Sequence, residues 1–433
     1  MRGMRRRVIL SALVGPWAMV LGSVSGRGPT SVLGDGSSLD ARAGVTASGS
    51  ANVEYPDEYV GGALVRLNDN GAWSWFMDPR AIIDEGKLIA GSVRAVGSNQ
   101  ANESDPRWGN VEVSVYELAT GRVATTVLHP HLEQDDHDAP AFLIRRDGSY
   151  LAVYSKHAVE RRTYYRISEP HNPLAWGPAA VIETPGENAA RAGNNDTYAN
   201  LFRMPDGRVF NFFRGFGHDY DNSLYHGYLQ GDTIHHSNGA VVGTLNTTTE
   251  KKIATWEMAD IELDRDAHPY VLFSTQIDGR GLPRGQGGMD LRYHYARWDG
   301  TSWHTEEIAH AGRRLYAGED DYSGLGALDP KNPDVMYIST DADPVSGDPL
   351  VSHADRKRHY ELFRGQRDAR LGKWTWAPFT RNSTADNLRP VIPAWNDPRT
   401  ALVWMRGTYV HNHGEWTTSM VAVIIPPLAP AGR

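Results

Sequence analysis

The sequence predicts an all-β protein, a seven-bladed β-propeller in a single domain, and three observations carry that expectation. Long stretches of helical periodicity are absent. Gly and Pro are plentiful, 44 and 25 residues, and the runs between them are rich in aromatic and β-branched side chains, the pattern of many strands and turns. One theme then recurs after residue 60: an apolar strand, a turn with Asp, Gly, Asn or Pro, and a second strand. The second strands begin roughly 60 residues apart, a period that with about four strands per unit belongs to a propeller. A pair of β-sandwiches is the competing all-β reading.

Residues 1–25 read as an export signal. Arg2, Arg5, Arg6 and Arg7 precede an apolar run from Val8 to Gly22, and small residues follow. The run is short for a bilayer span. The adjacent arginines fit a twin-arginine route, and no cysteine follows to carry a lipid. Residues 26–54, rich in Gly, Ser, Ala and Thr, read as a flexible spacer. The propeller is expected over 55–433. An exported chain with no cysteine must be stabilised by a large core, and roughly 380 residues can supply one. The expected location is secreted or periplasmic, with no membrane contact after cleavage. A net charge of −8 over 433 residues argues against nucleic acid, whose backbone calls for a basic surface.

The second strands are "GKLIAGSV" at 86, "SYLAVYSKH" at 149, "RVFNFFRG" at 208, "PYVLFSTQ" at 269, "DVMYISTD" at 334 and "TALVWMRG" at 400. They mark six units. A seventh is expected to close the ring by pairing strands around Gly61 to Trp75 with the C-terminal "TTSMVAVII".

Hairpin symmetry brings distant residues together, because positions equidistant from a turn face each other. His137 lies ten residues before Asp147 and His157 ten after, with Arg146-Asp147-Gly148 as the turn. The two histidines should sit side by side. Tyr198 and Arg214 lie eight residues either side of Asp206 and should also meet. A turn around Asp397 should bring Arg389 near Arg406, and Tyr322 should lie near Asp341. Blades present the same end of each inner hairpin to one face of the ring, so these seven residues should surround one funnel. A lone His or Tyr at a strand end is usually structural, and an Arg there is often an ion-pair partner. Three arginines around a narrow cavity, however, repel one another unless neutralised. Asp135, Asp136, Asp196 and Asp386 are the internal candidates; an acidic substrate is the functional one.

An acidic sugar suits such a cluster. Arg pairs with a uronate carboxylate, which acidifies the proton at C5 and stabilises the enolate-like intermediate. A histidine is a suitable base, and a tyrosine hydroxyl can protonate the leaving oxygen at C4. The outcome is β-elimination, for which no metal or cofactor is required. A glycoside hydrolase would need paired carboxyls, for which Glu319, Asp320 and Asp321 are available. The repeated Ser-x-Asp-x-Gly-x-x-Trp boxes of sialidases are missing; "RWDGTSW" and "RLGKWTW" match them poorly. A non-catalytic carbohydrate-binding propeller is the third alternative.

The stretches "DDHDAPAFLIRRDGSYLAVYSKH", "YANLFRMPDGRVFNFFRG", "YAGEDDYSGLGALDPKNPDVMYISTDADP" and "DNLRPVIP" resemble the BNR-type seven-bladed propeller polysaccharide lyases, the ulvan lyases and rhamnosyl-glucuronate lyases, over roughly residues 55 to 425. The resemblance implies that His137, His157, Tyr198 and Arg214 are catalytic: Arg214 neutralising the carboxylate, either histidine as base, Tyr198 as acid. It also implies cleavage beside a uronate whose O4 carries rhamnose, in a polysaccharide with or without sulfate; the chain itself is expected to act as a monomer. A further tyrosine of that family has no clear counterpart. Trp256 stands in the comparable region, with Tyr293 or Tyr322 as substitutes. Some relatives carry calcium or zinc. Without cysteine a thiolate zinc site is excluded here, and an ion such as Ca2+ held by Asp or His near the funnel is the metal expectation. Arg292 and His294 share a strand face and are candidates for sugar or sulfate, as are Arg389, Arg406, Tyr293 and Tyr322. His411 and His413 also share a face, with no nearby run of carboxylates. Trp73, Trp75, Trp374 and Trp376 alternate on strands and suit blade packing.

Overall fold

The computed structural model describes residues 58–74, 78–97, 102–157, 162–183, 239–240, 258–279, 282–283, 285–410 and 412–427. It also describes the strands Arg7–Ile9, Asn200–Arg203, Val209–Phe212, His226–Gln230, Thr233–His236 and Val241–Thr244. Apart from the 3-10 turn Asp136–Asp138, the assigned elements are strands. No helix among the described residues is long and apolar enough to cross a membrane.

The strands fall into antiparallel units that follow the chain. The first sheet takes Ala81–Asp84, Lys87–Val93, Val111–Glu117 and Val123–His129. The second takes Ala141–Ile144, Tyr150–Ser155 and Arg162–Glu169, with both Asn172–Trp176 and Ala180–Glu183 paired to the last of these. The third unit comprises the hairpin Asn200–Arg203/Val209–Phe212 and a sheet of His226–Gln230, Thr233–His236 and Val241–Thr244, edged by Arg7–Ile9. Met258–Leu263, Pro269–Gln276, Leu291–Trp298 and Trp303–Gly312 make the fourth; Gly326–Asp329, Asn332–Thr340, Glu361–Asp368 and Lys373–Pro378 the fifth. Within the units from the first to the second, second to third, fourth to fifth and fifth to sixth, first strands contact first strands. That is how propeller blades line an axis.

The sixth sheet joins Asp386–Val391, Thr400–Gly407 and Ser419–Ile425 to the N-terminal strand Val65–Arg66. The expected pairing of N- and C-terminal strands is therefore present, with Arg66 opposite Val421. It completes the sixth unit; Tyr59–Val60 and Thr380–Arg381 form a further two-stranded sheet, and no seventh four-stranded unit is found among the described residues. The sixth unit has three strands of its own after Asp386, and the N-terminal strand fills its fourth place. Beyond it the chain crosses to the first sheet, where Ala72 and Val93 exchange both backbone hydrogen bonds at 3.0 and 2.9 Å.

Apolar faces pack between neighbouring sheets. Ile89, Val113, Phe142, Tyr150 and Tyr154 form one cluster between the first and second. Tyr337, Leu362, Phe379, Leu402 and Trp404 form another between the fifth and sixth. Each such side chain contributes about 1.5–3 kcal/mol on burial. The sheets approach closely enough that a Cβ at Gly91 would collide with the Pro140 and Phe142 side chains.

Candidate functional site at the His137–His157 hairpin

The second sheet sets the geometry. Gly148, at φ 78°, closes the turn in a left-handed conformation that a glycine adopts without strain. Ala141 faces Val153 and Ile144 faces Tyr150, so the hairpin is centred on Asp147. Continuing that register places His137 opposite His157, and their rings stack with centroids 3.7 Å apart and an interplanar angle of 12°. His137 sits on the short 3-10 turn Asp136–Asp138. Asp135 caps that turn by accepting the His137 backbone N–H at 3.0 Å, the usual work of an aspartate at an N-cap.

The Asp135 carboxylate also organises the imidazoles. Its Oδ1 lies 2.5 Å from His137 Nδ1, and its Oδ2 lies 2.9 Å from His157 Nδ1. A third imidazole arrives from the sixth sheet: His413 Nε2 is 3.4 Å from Asp135 Oδ2. Its ring stands edge-on to His137 at 5.2 Å and to His157 at 5.0 Å. His413 lies in the tight loop closed by the Tyr409–Trp416 bridge. That loop is fastened to the histidine turn where the Asp136 N–H donates to the His413 carbonyl at 3.0 Å and Gln134 Nε2 to the Gly414 carbonyl at 2.8 Å.

Asp136 turns the other way. Its Oδ2 accepts from Arg389 Nη1 at 2.7 Å and from the Tyr409 hydroxyl at 2.8 Å. Arg389 Nη1 also donates to the Trp73 carbonyl. Both members of the Arg389–Asp136 pair are fully buried. Tyr316 stacks on Tyr409 at 6.1 Å, and Tyr322 packs edge-on against Tyr316 at 5.6 Å.

The charges follow from these contacts. Burial disfavours the Asp135 carboxylate, but His157, His137 and His413 outweigh it and hold its pKa well below the usual range. Burial likewise opposes the His137 imidazolium, and the Asp135 and Asp136 carboxylates override it, so the His137 pKa is raised. For Asp136, burial is again overcome, by Arg389 and then His137, and its pKa is lowered. Asp138 goes the opposite way: burial, reinforced by Asp135 and Glu133, raises it well above the carboxylate range. Neither of its carboxylate oxygens has a hydrogen-bond partner among the described residues.

Several expected site residues have other positions. Arg389 is fully buried and committed to Asp136, so its assignment to substrate is corrected. It does not face Arg406, because the last hairpin pairs Asn387 with Arg406 and a bulge follows between Leu388 and Val391. Within the bulge Arg389 has φ 50°, a conformation an arginine keeps only where its surroundings impose it. Arg406 instead contacts Glu58 and Asn387. Tyr293 is also fully buried, its hydroxyl 2.8 Å from the Ser339 carbonyl and 2.9 Å from that of Leu325. It is a core residue, so neither substrate contact nor substitution for the family's missing tyrosine falls to it. Arg292 is held by Asp290 and Glu307 at 2.6 and 2.9 Å. Asp341, expected beside Tyr322, is bound by Arg313 and Arg358, each at 2.8 Å. Asp386 accepts from His359 Nδ1 at 3.2 Å. Of the carboxyls considered for a hydrolase, Asp320 is 3% exposed and bound by Arg314 and the Gly285 N–H.

Tyr198, Arg214, Asp196, Trp75, Trp256 and His411 lie outside the described residues. The hairpin that leads to the first two pairs Asn200 with Phe212 and is centred on Asp206, as its turn predicts. For a metal, the donor atoms of Asp135, His137 and His157 lie within 4.8 Å of one another, compact enough for one divalent cation. Tyr409 and Tyr316 were not legible as site residues, and His413 was weighed only with His411 as a metal ligand. The first two are buried aromatics, and His413 sits in a loop whose partners lie at the other end of the chain.

Residues 94–240 match the model of a family described as BNR repeat-containing. No curated protein matches the chain. Among solved structures, one described as an ulvan lyase of a new polysaccharide lyase family is 13% identical, with a TM-score of 0.49, covering 84% of this chain and 96% of its own. A second structure with the same description, bound to -[GlcA(1-4)Rha3S]-, gives 12%, 0.48, 86% and 96%. The NanB sialidase of Streptococcus pneumoniae gives 9%, 0.40, 84% and 70%.

Proposed function

We propose that the chain is a secreted polysaccharide lyase that cleaves a rhamnose-(1,4)-uronate linkage by β-elimination. The observation that carries this reading is the stacked His137–His157 pair hung from one buried carboxylate, Asp135. A carboxylate that holds the near nitrogen of an imidazole fixes its orientation and increases its basicity. An imidazole of this cluster takes the C5 proton. The electrons of the C5–H bond become the C4–C5 double bond as the C4–O bond breaks, and Tyr198 returns a proton to the leaving oxygen. Arg214 neutralises the uronate carboxylate throughout. Arg389 is not available for that task, since Asp136 holds it in the core. No step needs a metal or cofactor.

The commitment of Asp320 to Arg314 and the Gly285 N–H removes one of the three carboxyls considered for a hydrolase and leaves Glu319 and Asp321 as its pair. Incubation with ulvan, gum arabic and other uronate polymers tests the reading. A lyase yields the ultraviolet absorbance of a 4,5-unsaturated uronate; a hydrolase yields reducing ends without it; a binding protein yields neither. His137→Ala, Tyr198→Phe and Arg214→Ala are each expected to lower turnover by about 100-fold or more, the scale of lost acid–base or electrostatic help, with circular dichroism unchanged. Near-normal rates in all three would show the site to be misplaced.

A further inference from the structure

The three imidazoles around Asp135 are not equivalent. The His137 side chain is 4% exposed, and its Nδ1 lies between Asp135 at 2.5 Å and Asp136 at 3.0 Å. The His157 side chain is 14% exposed, its Nδ1 is taken by Asp135, and its Nε2 is buried. His413 differs on both counts. Its side chain is 37% exposed, and among the described residues its one polar ring contact is from Nε2 to Asp135 Oδ2. A carboxylate accepts, so the proton of a neutral His413 ring belongs on Nε2, and the lone pair is left on Nδ1 at the ring's other edge.

A base in such a site has a carboxylate on its far nitrogen and a lone pair open to the substrate. Of the three rings, that of His413 is the most exposed, at 37% against 4% for His137 and 14% for His157. We propose that His413 is a further catalytic residue, the imidazole whose Nδ1 contacts the uronate and takes its C5 proton, with Asp135 as the residue that orients it. This rests on the lyase reading and assigns the proton acceptor within it. The stacked pair of His137 and His157 then serves as the floor that fixes both oxygens of Asp135. The distance of 3.4 Å is long for a hydrogen bond, in keeping with catalytic contacts that tighten only when substrate is bound.

The position of the loop supports the role. The Asp136 N–H, Gln134 Nε2 and the Tyr409–Trp416 bridge hold the backbone of the loop while the ring keeps one part exposed to solvent. Removing the ring should therefore leave the fold in place and open a space that a free imidazole can enter from solvent.

The test uses the full chain with His413→Ala on the uronate polymer that the wild type cleaves. Expected are a fall in kcat of about 100-fold or more, little change in KM, an unchanged thermal melt, and partial restoration of kcat by added imidazole. Wild-type kcat in the variant would overturn the proposal. So would loss of activity that imidazole does not restore, whether or not the melt falls, because that marks a structural role. If the wild type gives no unsaturated product from any uronate polymer, the lyase reading fails, and a second measurement judges His413 alone. Carbethoxylation with diethyl pyrocarbonate, mapped by mass spectrometry, is free of thiol side reactions because the chain has no cysteine. His413 should be modified before His137 and His157, and glucuronate-rhamnose oligosaccharides should protect it. Equal reactivity, or absence of protection, would overturn the placement.

Discussion

Replacing Asp135 with Asn tests the centre of the site, and the structure gives the size and pH dependence to expect. The carboxylate accepts the His137 N–H at 3.0 Å, His137 Nδ1 at 2.5 Å and His157 Nδ1 at 2.9 Å. Asparagine keeps one acceptor oxygen and presents an NH2 in place of the other, so one ring nitrogen faces a donor. The loss is one charge-assisted hydrogen bond and one buried group left unpaired, together about 3–5 kcal/mol. Asp135 has a folded pKa well below its usual value. Its contribution is therefore complete above about pH 3.9 and is lost as pH falls through the folded value. His137 has a raised pKa. Its contribution is complete below about pH 6.5 and is lost as pH rises through the folded value. The stability gap between wild type and Asp135→Asn should be widest between about pH 4 and 6.5 and narrow on both sides. Urea unfolding across a pH series measures it. A gap that is small and flat with pH would show that the carboxylate and the imidazoles are not electrostatically coupled.

Arg389→Leu should cost about 3–5 kcal/mol, because it leaves Asp136 buried without its cation. A thermal melt measures this, and an unchanged melt with raised KM would return Arg389 to the substrate. Tyr293→Phe should lose about 1–3 kcal/mol by removing the buried hydroxyl that reaches the Ser339 and Leu325 carbonyls. Its kcat/KM should stay at the wild-type value, and a fall without destabilisation would contradict the core assignment. Asp138→Asn should stabilise the protein. The raised folded pKa of Asp138 means that stability declines as pH climbs from about 3.9 toward that value. The variant removes this decline, so its advantage in Tm should grow with pH. An advantage that does not grow would refute the buried, protonated carboxyl.

The hairpins that could be read from sequence are those whose turns specify their own register. Asp147-Gly148 and Asp206-Gly207 each demand a tight turn, and the period of two along a strand carries the register outward. The pairs Ala141–Val153 and Asn200–Phe212 both follow. The hairpin around Asp397 did not yield to the same arithmetic, because the bulge between Leu388 and Val391 shifts the count and no residue type announces it. That one shift separates Arg389 from Arg406 and sends Arg389 inward. Closure of the ring was legible as a pairing of termini, but not as the fourth strand of an existing sheet, because a strand as short as Val65–Arg66 has too little pattern to assign to a blade. His413 was opaque for a different reason. A loop histidine acquires meaning from what it is packed against, and its contacts with Asp135 and Asp136 join residues at opposite ends of the chain.

Asp135 and Asp136 are adjacent on one turn and divide their work between two sides of it. Asp135 gathers the imidazoles, while Asp136 binds Arg389 and Tyr409, and Arg389 in turn reaches the Trp73 carbonyl. Trp73 follows directly on the bridge from Ala72 to the first sheet, and Tyr409 belongs to the sixth. The contacts that close the ring between its first and last sheets therefore pass through the residue next to the one that orients the histidines. Any loosening of that closure shifts Asp136, and with it the short turn that carries Asp135 and His137. Loss of activity in Arg389→Leu should accordingly accompany its loss of stability, even though the guanidinium is buried and cannot touch a sugar. An effect on rate is thus no proof of contact with substrate, and the melt and the kinetics must be read together for every residue around this turn.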